Sequence, residues 1–346
     1  MYILPNGGFF ILPPKVYYEL SGRRVRTSHI ILGGEMMRVG IVGYGNLGRA
    51  VEKEAIARGC EVTGIFSRRK VRSPYGVKTL DFISIKDFSV PTDIMLLCGG
   101  SKNDLAWQSR IVASRFNTAD AFDVHQNMRA YMSDLNVIQN KRRGVSVVGA
   151  GWDPGIFSVA RTAFCAILRE EPYTFWGRGA SEGHGEAVRG VSGVKKAVQY
   201  TVPDNEVLSR VMALKRPDNS PQNLHRREVY VVKDDLADEK QIEYQIKNME
   251  NYFKGYDVSV TFVSDEEFMK NHTSLSHGGR VVSAADGAKM DFSLSLNSNP
   301  DFTAKILLTY AGAGVKMYKD GVFGALSVLD VPPKYLCHDD DYQRFL

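Results

Sequence analysis

The segment with the clearest chemical meaning is a glycine-rich turn of the form G-x-G-x-x-G. It consists of Gly43, Tyr44, Gly45, Asn46, Leu47 and Gly48. It follows an apolar run at 38–43 and opens a segment of helical period at 47–58, which is the setting of a dinucleotide-binding turn. The first glycine permits the tight turn, the second lets the backbone approach a pyrophosphate, and the third lets the helix pack close to the strand. We therefore predict a dinucleotide site; three glycines in an ordinary turn are the alternative.

The residues after the second apolar run predict which dinucleotide binds. This run ends at Phe66 and continues into Ser67, Arg68 and Arg69, without the Asp or Glu that an NAD site usually places here for the ribose hydroxyls. Two guanidiniums and a hydroxyl suit a doubly charged 2′-phosphate, so the sequence favours NADP. The alternative is a solvated basic loop.

A segment of small residues closes the third apolar run. Its members are Cys98, Gly99, Gly100 and Ser101, and they would let the backbone pass beside the cofactor. A purely structural turn explains the same residues.

Two acidic residues follow the fourth and fifth apolar runs. Asp123 comes after the fourth run, and Asp153 lies in the segment 151–155 after the fifth. Because parallel strands end at the same edge of a sheet, both acids are expected at one ligand crevice, where a carboxylate can bind an ammonium group or accept a proton. Trp152 could shield a nicotinamide from water. The alternative is that each Asp is a helix N-cap, since Asp153 precedes Pro154 and Asp123 lies just before His125.

Alternating elements are needed to position these residues. Apolar runs at 38–43, 61–66, 93–98, 117–122 and 145–150 alternate with helical segments at 47–58, 102–116 and 125–140, which predicts βαβ units on a parallel sheet. After Trp152 the pattern changes. A helix is predicted at 153–169, strands at 173–176, 194–202, 226–232, 256–263 and 289–296, and helices at 234–250 and 301–318, the last with a cap-and-proline start at Asn299 and Pro300. This second pattern is typical of a mostly antiparallel α+β domain.

Composition limits the class of protein. The 346 residues suggest about two domains, and 44% hydrophobic with 24% charged residues is globular usage. A net charge of +5 without a Lys/Arg run argues against nucleic-acid binding, and no apolar stretch reaches the length of a membrane span. The four cysteines have no paired spacing, which favours the reducing cytoplasm. His272 and His277 have no acidic or cysteine partner at helical spacing, so we predict no metal.

Residues 1–36 are predicted to be a separate extension. They lack the features of a signal peptide, and Met36 and Met37 stand directly before the first predicted strand. We expect the natural product to begin at one of these methionines, which would make the extension a start-site artefact or a disordered tail.

Seven segments, in order between about residues 37 and 332, resemble one enzyme family. They are 42–49 (VGYGNLGR), 64–69 (GIFSRR), 151–155 (GWDPG), 174–177 (TFWG), 195–201 (KKAVQYT), 277–279 (HGG) and 299–303 (NPDFT). On these segments the chain resembles the meso-diaminopimelate dehydrogenases. The resemblance implies reversible NADP-dependent oxidative deamination of meso-2,6-diaminopimelate at its D-centre. The products are L-2-amino-6-oxopimelate (tetrahydrodipicolinate) and ammonia, in lysine biosynthesis.

The resemblance also implies a fold, an assembly and site residues. The fold is α/β, with a Rossmann-type NADP-binding domain at 37–151, an α+β substrate-binding and dimerisation domain at 152–298, a C-terminal segment at 299–346 that returns to the first domain, and a homodimer. NADP contacts are implied at 44–47, 67–69 and 98–101, and at Ala121, Phe122, Asp123, Ala150, Gly151, Trp152, Asp153, Pro154 and Asn299. Substrate contacts are implied at Asp123, Trp152, Asp153, Trp176, Thr201, Arg227, His277 and Asn299, with Arg226 as the alternative to Arg227 and with 182–184 in a substrate-side loop.

The implied substrate explains these residue types. It carries two carboxylates and two ammonium groups, so Arg227, aided by His277, Thr201 and Asn299, would bind the distal L-centre. Asp123 and Asp153 would hold the reacting D-centre, and either of them is a candidate base. Two other functions are weighed: a related NADP-dependent reductase of a cyclic imine or semialdehyde, and a non-catalytic NADPH sensor.

Overall fold

The computed structural model describes residues 19–20, 23–24, 31–32, 35–274, 276–337, 343 and 346. Near the N-terminus, two short antiparallel pairs join Glu19–Leu20 to Arg23–Arg24 and Ile31–Leu32 to Glu35–Met36. The prediction about residues 1–36 falls mostly outside the described residues. No helix within the described ranges has the length and apolarity to cross a membrane.

The strands and helices follow the predicted alternation through the first half of the chain. The strands are β1 (Arg38–Val42), β2 (Glu61–Ser67), β3 (Thr79–Asp81), β4 (Ile94–Leu97), β5 (Thr118–Asp120), β6 (Val145–Val148), β7 (Tyr173–Trp176), β8 (Gly179–Ala180), β9 (Val194–Pro203), β10 (His225–Lys233), β11 (Asp257–Phe262), β12 (His277–Ala285), β13 (Ala288–Leu296) and β14 (Gly324–Ser327). The helices are α1 (Asn46–Ala57), α2 (Ala106–Ala113), α3 (Met128–Arg142), α4 (Ile156–Leu168), α5 (Glu182–Arg189), α6 (Asn205–Met212), α7 (Pro221–Leu224), α8 (Glu239–Lys247), α9 (Asp265–Asn271) and α10 (Asn299–Lys319).

A parallel sheet of seven strands organises the first half. Its order is β3-β2-β1-β4-β5-β6-β14, and every neighbouring pair is parallel. Helices cover both faces, because α1 and α10 pack on one side and α2 and α3 on the other. For this reason β4 and β6 are buried along their whole length, and Ser146 is their one polar residue. The strand order reverses between β1 and β4, where such sheets open a crevice at the carboxyl ends of their strands.

The C-terminal helix α10 lies directly on this sheet. Its alternating alanines and glycines keep the helix surface flat, and a Cβ at Gly314 would lie 2.6 Å from Cγ2 of Val147 on β6. The strand after the helix, β14, then pairs with β6 at the edge of the sheet. The last part of the chain therefore packs into the first sheet.

Two further sheets form the second half. One is antiparallel with the order β7-β12-β13, and the other has the order β8-β9-β10-β11. Within the second sheet β10 and β11 are parallel, because α8 lies between them in the chain and supplies the crossover that a parallel pair needs. With its parallel sheet and its mostly antiparallel second part, the molecule confirms the predicted fold class.

Several predicted elements differ in extent. The strands β3, β8, β12 and β14 were not predicted, because β3, β8 and β14 are short and two glycines follow the first residue of β12. The helix predicted at 102–116 is a π-helical turn at Ser101–Leu105 followed by α2. The helix predicted at 234–250 is shorter, because the side chain of Asp238 caps α8 by accepting from the N–H of Lys240.

A buried carboxylate at the end of β5 ties together two loops at the crevice. Oδ1 of Asp120 accepts from the N–H of Phe122 (3.0 Å) and Gly149 (3.2 Å), and Oδ2 accepts from the hydroxyl of Tyr131 (2.8 Å). The backbone oxygen of Asp120 accepts from the N–H of Ala150 at 2.7 Å. Burial raises the pKa of Asp120 to about 6, although its hydrogen bonds act in the opposite direction. The loops after β5 and β6 are thus joined through one side chain.

The variant Asp120→Asn tests this account through the pH dependence of stability. The amide can keep all three hydrogen bonds, with its oxygen towards the two N–H groups. Between pH 3.8 and about 6 the folded wild type holds a proton that the unfolded chain has lost, so the free energy of unfolding should fall as pH rises through this window. The variant has no such titrating group, so the decrease does not occur. Its free energy of unfolding, relative to that of the wild type, should therefore rise by about 2–3 kcal/mol between pH 4 and pH 7.

Urea unfolding at a series of pH values measures the difference. The exposed Asp87→Asn should run parallel to the wild type. An Asp120→Asn curve that also ran parallel would contradict the raised pKa.

Candidate active site

A cavity of 1320 Å³ lies at the carboxyl ends of the parallel strands, between the first sheet and the second half of the molecule. Most of the predicted site residues line it: Gly43, Tyr44, Gly45, Asn46, Leu47, Ser67, Arg68, Arg69, Cys98, Gly99, Gly100, Ser101, Ala121, Asp123, Gly151, Trp152, Asp153, Pro154, His277 and Asn299. Six predicted residues are not on its wall, namely Gly48, Phe122, Ala150, Trp176, Thr201 and Arg227. Phe122 stacks on Tyr131 and Ala150 is fully buried, so these two residues pack in the interior beneath the loops that line the cavity.

The glycine-rich turn has the backbone geometry that its sequence predicts. Gly43 has a φ of +90°, a conformation that favours glycine. A Cβ at Gly48 would lie 2.2 Å from the backbone oxygen of Gly43, so only glycine allows this close approach of helix to strand. A Cβ at Gly45 would meet no atom within 4 Å, so this part of the backbone is open to the cavity.

A buried carboxylate that the sequence reasoning missed fixes this turn. Glu52 on α1 is fully buried and accepts from the hydroxyls of Tyr44 and Ser73. The hydroxyl oxygen of Ser73 in turn accepts from the N–H of Tyr75 (3.0 Å) and Val77 (3.1 Å). Glu52 therefore joins the glycine-rich turn to the loop that follows Arg68 and Arg69. Its sequence signal is weak, because a glutamate in an amphipathic helix is normally solvated.

The basic segment at the end of β2 gains a partner that is distant in sequence. Arg68 forms an ion pair with Asp104, which lies in the π-helical turn after β4. A second oxygen of Asp104 accepts from the N–H of Gly100 at 3.2 Å. Arg69 is exposed and makes no ion pair within the described part of the chain. The loops after β2 and β4 therefore meet at one side of the cavity.

The two acids have different surroundings. Asp123 is exposed, and its carboxylate has no hydrogen bond or ion pair among the described residues; its backbone N–H donates to Oγ of Ser101 at 3.2 Å. Asp153 has a side chain that is only 2% exposed, and it forms an ion pair with Arg161 at 2.5 Å. Nε1 of Trp176 also donates to Asp153, at 2.5 Å.

Both acids were weighed as helix caps, and that alternative is wrong. The N-cap of α4 is Gly155, two residues after Asp153. The short helix at His125–Asn127 has Val124 as its N-cap and no side-chain cap. Both carboxylates remain available at the carboxyl ends of their strands.

Trp152 is held between the two halves of the molecule. Its Nε1 donates to Oδ1 of Asn299 at 3.0 Å, and its ring centroid lies 4.9 Å from that of His277. The proline start predicted for α10 is confirmed at Pro300, but the predicted cap is wrong, because the side chain of Ser298 and not that of Asn299 caps the helix. Asn299 is therefore free of the capping role and its side chain instead fixes the indole.

Gly179 explains how His277 is placed. A Cβ at this position would lie 2.3 Å from Cγ of His277, so the backbone of β8 packs directly on the imidazole. Burial lowers the pKa of His277, which favours the neutral ring.

Arg227 is a buried cation without a carboxylate partner. It faces inward from β10, with 6% of its surface exposed, whereas Arg226 faces solvent and pairs with Glu228. Its guanidinium donates to Oγ1 of Thr201 and lies 4.3 Å from the ring centroid of Tyr256. Nε has no hydrogen-bond partner, and no ion pair joins Arg227 to any described acid. Burial also lowers the pKa of this guanidinium.

Two histidines beside Arg227 are kept neutral. Burial lowers the pKa of His184 to about 3, with further contributions from the charges of Arg227 and Lys102. Burial likewise lowers the pKa of His225 to about 4. Both imidazoles therefore stay uncharged near neutral pH and add no positive charge beside Arg227.

A contact that the sequence reasoning missed spans the cavity. Nζ of Lys102, from the π-helical turn after β4, lies 4.2 Å from the ring centroid of Tyr252, which belongs to the second half. The ring of Tyr252 packs edge-on against His184, with centroids 5.3 Å apart. No group of three or more His, Cys, Asp or Glu side chains suited to a metal occurs among the described residues.

Comparison with known proteins identifies the family. A protein-family model described as "Diaminopimelic acid dehydrogenase C-terminal domain" matches residues 151–298. The meso-diaminopimelate D-dehydrogenase of Acetivibrio thermocellus is 41% identical over 87% of this chain and 94% of its own length. That of Lysinibacillus sphaericus is 42% identical over 86% of this chain and 94% of its own. This chain belongs to the meso-diaminopimelate D-dehydrogenase family.

Solved structures agree with the family in fold. The Corynebacterium glutamicum diaminopimelate dehydrogenase, solved in complex with diaminopimelate, is 36% identical, with a TM-score of 0.84 over 89% of this chain and 98% of its own. An engineered D-amino acid dehydrogenase bound to NADP+ is 35% identical, with a TM-score of 0.82 over 90% of this chain and all of its own. Like these relatives, the chain is an oxidoreductase that uses a nicotinamide dinucleotide.

Proposed function

We propose that the protein catalyses the reversible NADP-dependent oxidative deamination of meso-2,6-diaminopimelate at its D-centre, a step of lysine biosynthesis. The products are L-2-amino-6-oxopimelate, which cyclises to tetrahydrodipicolinate, and ammonia. The observation that carries this proposal is the buried Arg227, which lacks an anionic partner in a protein whose dinucleotide cavity has two carboxylates at its wall. A substrate with a distal carboxylate and a reacting ammonium group supplies the anion that Arg227 lacks and a cation for Asp123, neither of which has a charged partner among the described residues.

Arg227 supports binding of the distal carboxylate. A buried charge without a partner costs several kcal/mol, and an anion that accepts two N–H groups of a guanidinium compensates this cost. Thr201 already orients the guanidinium, and the neutral His184 and His225 add no competing charge. His277 and Asn299, which line the cavity beside Trp152, add hydrogen-bonding groups for the same end of the substrate.

Asp123 and Asp153 support binding of the reacting end. Both line the cavity at the ends of neighbouring strands, together with Trp152. Two carboxylates favour the ammonium form of an amine, and both line the same cavity as the glycine-rich turn, which supports a substrate whose reacting Cα–H faces the nicotinamide. Orientation of this kind supplies much of the rate, because it replaces an encounter in solution.

The residues present fit NADP. Gly45 leaves the backbone open for a pyrophosphate, the N-terminus of α1 offers unpaired N–H groups, and Ser67, Arg68 and Arg69 stand where a 2′-phosphate would lie. The pair between Arg68 and Asp104 orients the guanidinium but also competes for it. The bound dinucleotide supplies a hydride acceptor.

The division into an NADP-binding domain at 37–151, a substrate and dimerisation domain at 152–298 and a returning segment at 299–346 is part of the same proposal.

A cytoplasmic location is proposed with it. All four cysteines lie in the described part of the chain, and none of them forms a disulfide there. Thiols of this kind are typical of a reducing compartment.

The first experiment measures reduction of the nicotinamide with purified protein. We expect turnover with NADP and meso-diaminopimelate, little or none with the LL-isomer, which has no D-centre, and far less with NAD. Ammonia and the oxo acid should form in equal amounts with the reduced dinucleotide. Absence of turnover with meso-diaminopimelate and both dinucleotides would contradict the function, and equal turnover with NAD would contradict the roles given to Arg68 and Arg69.

A second experiment replaces Arg227 by methionine. The two side chains are similar in volume, so the substitution preserves packing while it removes a buried, unpaired charge. The variant should therefore fold. The KM for meso-diaminopimelate should rise about 100-fold through loss of a charge-assisted pair, while the KM for NADP should stay unchanged. Arg226→Met, at the exposed neighbouring position, is the matched control and should behave as wild type. An unchanged KM for the amino acid in Arg227→Met would remove Arg227 from the substrate site.

We also propose a homodimer. The helix α4 is apolar on most of its surface, yet Val159 is 40% and Ile167 is 65% exposed. Leu329, which is 52% exposed, lies in a short helical turn that packs beside α4. Exposed apolar side chains grouped on one helix are typical of a protein interface. Light scattering should give a mass of twice 38.6 kDa, and Ile167→Lys should shift it towards the single chain. A wild-type mass of one chain would contradict the dimer.

A further inference from the structure

We propose that Arg161 is a positioning residue that fixes the carboxylate of Asp153 as a static acceptor for the reacting amine, so that Asp123 is the carboxylate that exchanges protons. This inference rests on the proposed function and assigns different tasks to two acids that the sequence treats alike. It follows from the hydrogen bonds around each carboxylate.

Asp153 is almost saturated with donors. Oδ1 accepts from Nη2 of Arg161 at 2.5 Å, and Oδ2 accepts from Nη1 of Arg161 at 3.1 Å and from Nε1 of Trp176 at 2.5 Å. An ionised carboxylate has about four lone-pair sites, so these three bonds leave room for one further donor. With a side chain that is 2% exposed, this carboxylate is held in one orientation by a guanidinium fork.

The groups that hold Asp153 are themselves anchored in separate elements. Arg161, on α4, also donates to Oγ of Ser158 at 3.2 Å and to Oγ1 of Thr174 on β7 at 3.3 Å. The indole of Trp176 stacks on His225 at 5.0 Å with an angle of 23° between the rings. The backbone N–H of Trp176 donates to Nε2 of His225 at 2.7 Å.

His225 completes this chain of contacts. Its Nδ1 lies 3.0 Å from the backbone oxygen of Pro221, which requires the tautomer with the proton on Nδ1. This tautomer leaves Nε2 free to accept from Trp176. The orientation of Asp153 is therefore determined by α4, β7 and β10 together, whereas a surface ion pair involves only its two side chains.

Asp123 has the opposite properties. It lines the same cavity but is exposed, and its side chain is unpaired among the described residues. A general base has to accept a proton and return it to water, which requires access to solvent and freedom from a competing cation. Asp123 meets both conditions, and Asp153 meets neither.

The assignment gives a balanced sequence of steps. Asp123 first takes a proton from the D-centre ammonium and passes it to solvent, and the Cα–H then leaves as hydride to the bound dinucleotide, which converts the amine to an iminium ion. A water oxygen bonds to this carbon while Asp123 accepts the proton that the water loses. Asp123 returns its proton to the nitrogen, and the C–N bond breaks with its electron pair going to nitrogen. The hydroxyl proton passes to the departing ammonia as the carbonyl forms, so that ammonium leaves. Asp153 accepts a hydrogen bond from the nitrogen throughout.

The test of Arg161 compares two substitutions. Arg161→Met should lower kcat about 100-fold, because the reacting carbon is no longer held in line. The KM for NADP should stay unchanged, and the isotope effect of meso-diaminopimelate deuterated at the D-centre should rise as hydride transfer becomes rate-limiting. Arg161→Lys, which keeps the charge but loses the fork, should recover about a tenth of the wild-type kcat. Arg169→Met, an exposed residue at the end of the same helix, is the matched control and should behave as wild type.

The test of the two acids is chemical rescue. Asp123→Ala leaves an open position at the cavity, so added formate should restore a large part of its lost activity. In Asp153→Ala, Arg161 and Trp176 remain and can bind formate as a static acceptor, so rescue there should not increase from formate to the more basic acetate, whereas rescue of Asp123→Ala should increase with basicity. A wild-type isotope effect and kcat in Arg161→Met, or rescue of Asp153→Ala but not of Asp123→Ala, would overturn the inference. Wild-type protein without turnover of meso-diaminopimelate would instead refute the proposed function.

Discussion

The structure depends on giving buried charges fixed partners around the cavity between the first sheet and the second half of the molecule. Charged groups lose hydration when they are buried, so each needs a partner or costs several kcal/mol. The protein meets this requirement differently at each position. Glu52 receives two hydroxyl donors, Asp120 shares three hydrogen bonds at a raised pKa, and Asp153 is paired with Arg161. Arg227 stays without an anion among the described residues, and the ligand is the remaining candidate for that partner.

The parallel sheet brings the loops that carry Arg68, Asp123 and Asp153 to one edge. Parallel strands share one direction, so the loops after β1, β2, β4, β5 and β6 leave at the same edge. Long-range contacts then fix the loops to each other. Arg68 meets Asp104 across two loops, and Asp120 joins the loops after β5 and β6. The second half of the molecule closes the cavity from the other side through Lys102 and Tyr252.

Local patterns were reliable where one physical requirement decides the residue. The turn at Gly43 needs a positive φ, and the close approach at Gly48 excludes any Cβ, so both glycines could be interpreted from spacing alone. Helix caps were less reliable. Asp153 and Asn299 have the residue types of caps, but Gly155 and Ser298 occupy those positions, because the start of a helix is decided by packing as well as by the local hydrogen bond.

The sequence by itself determined the alternation of strands and helices, the dinucleotide turn, the basic segment after β2 and the family, because each depends on residues that are close along the chain or on ordered motifs. Only the tertiary structure decided that Arg227 and not Arg226 faces inward, that Asp153 is held by Arg161 and Trp176 while Asp123 is exposed, and that Glu52 supports the turn. These properties depend on burial and on partners far apart in sequence. An aspartate is written identically in the sequence whether its carboxylate is paired with a guanidinium or hydrated, so its environment is known only from the folded structure.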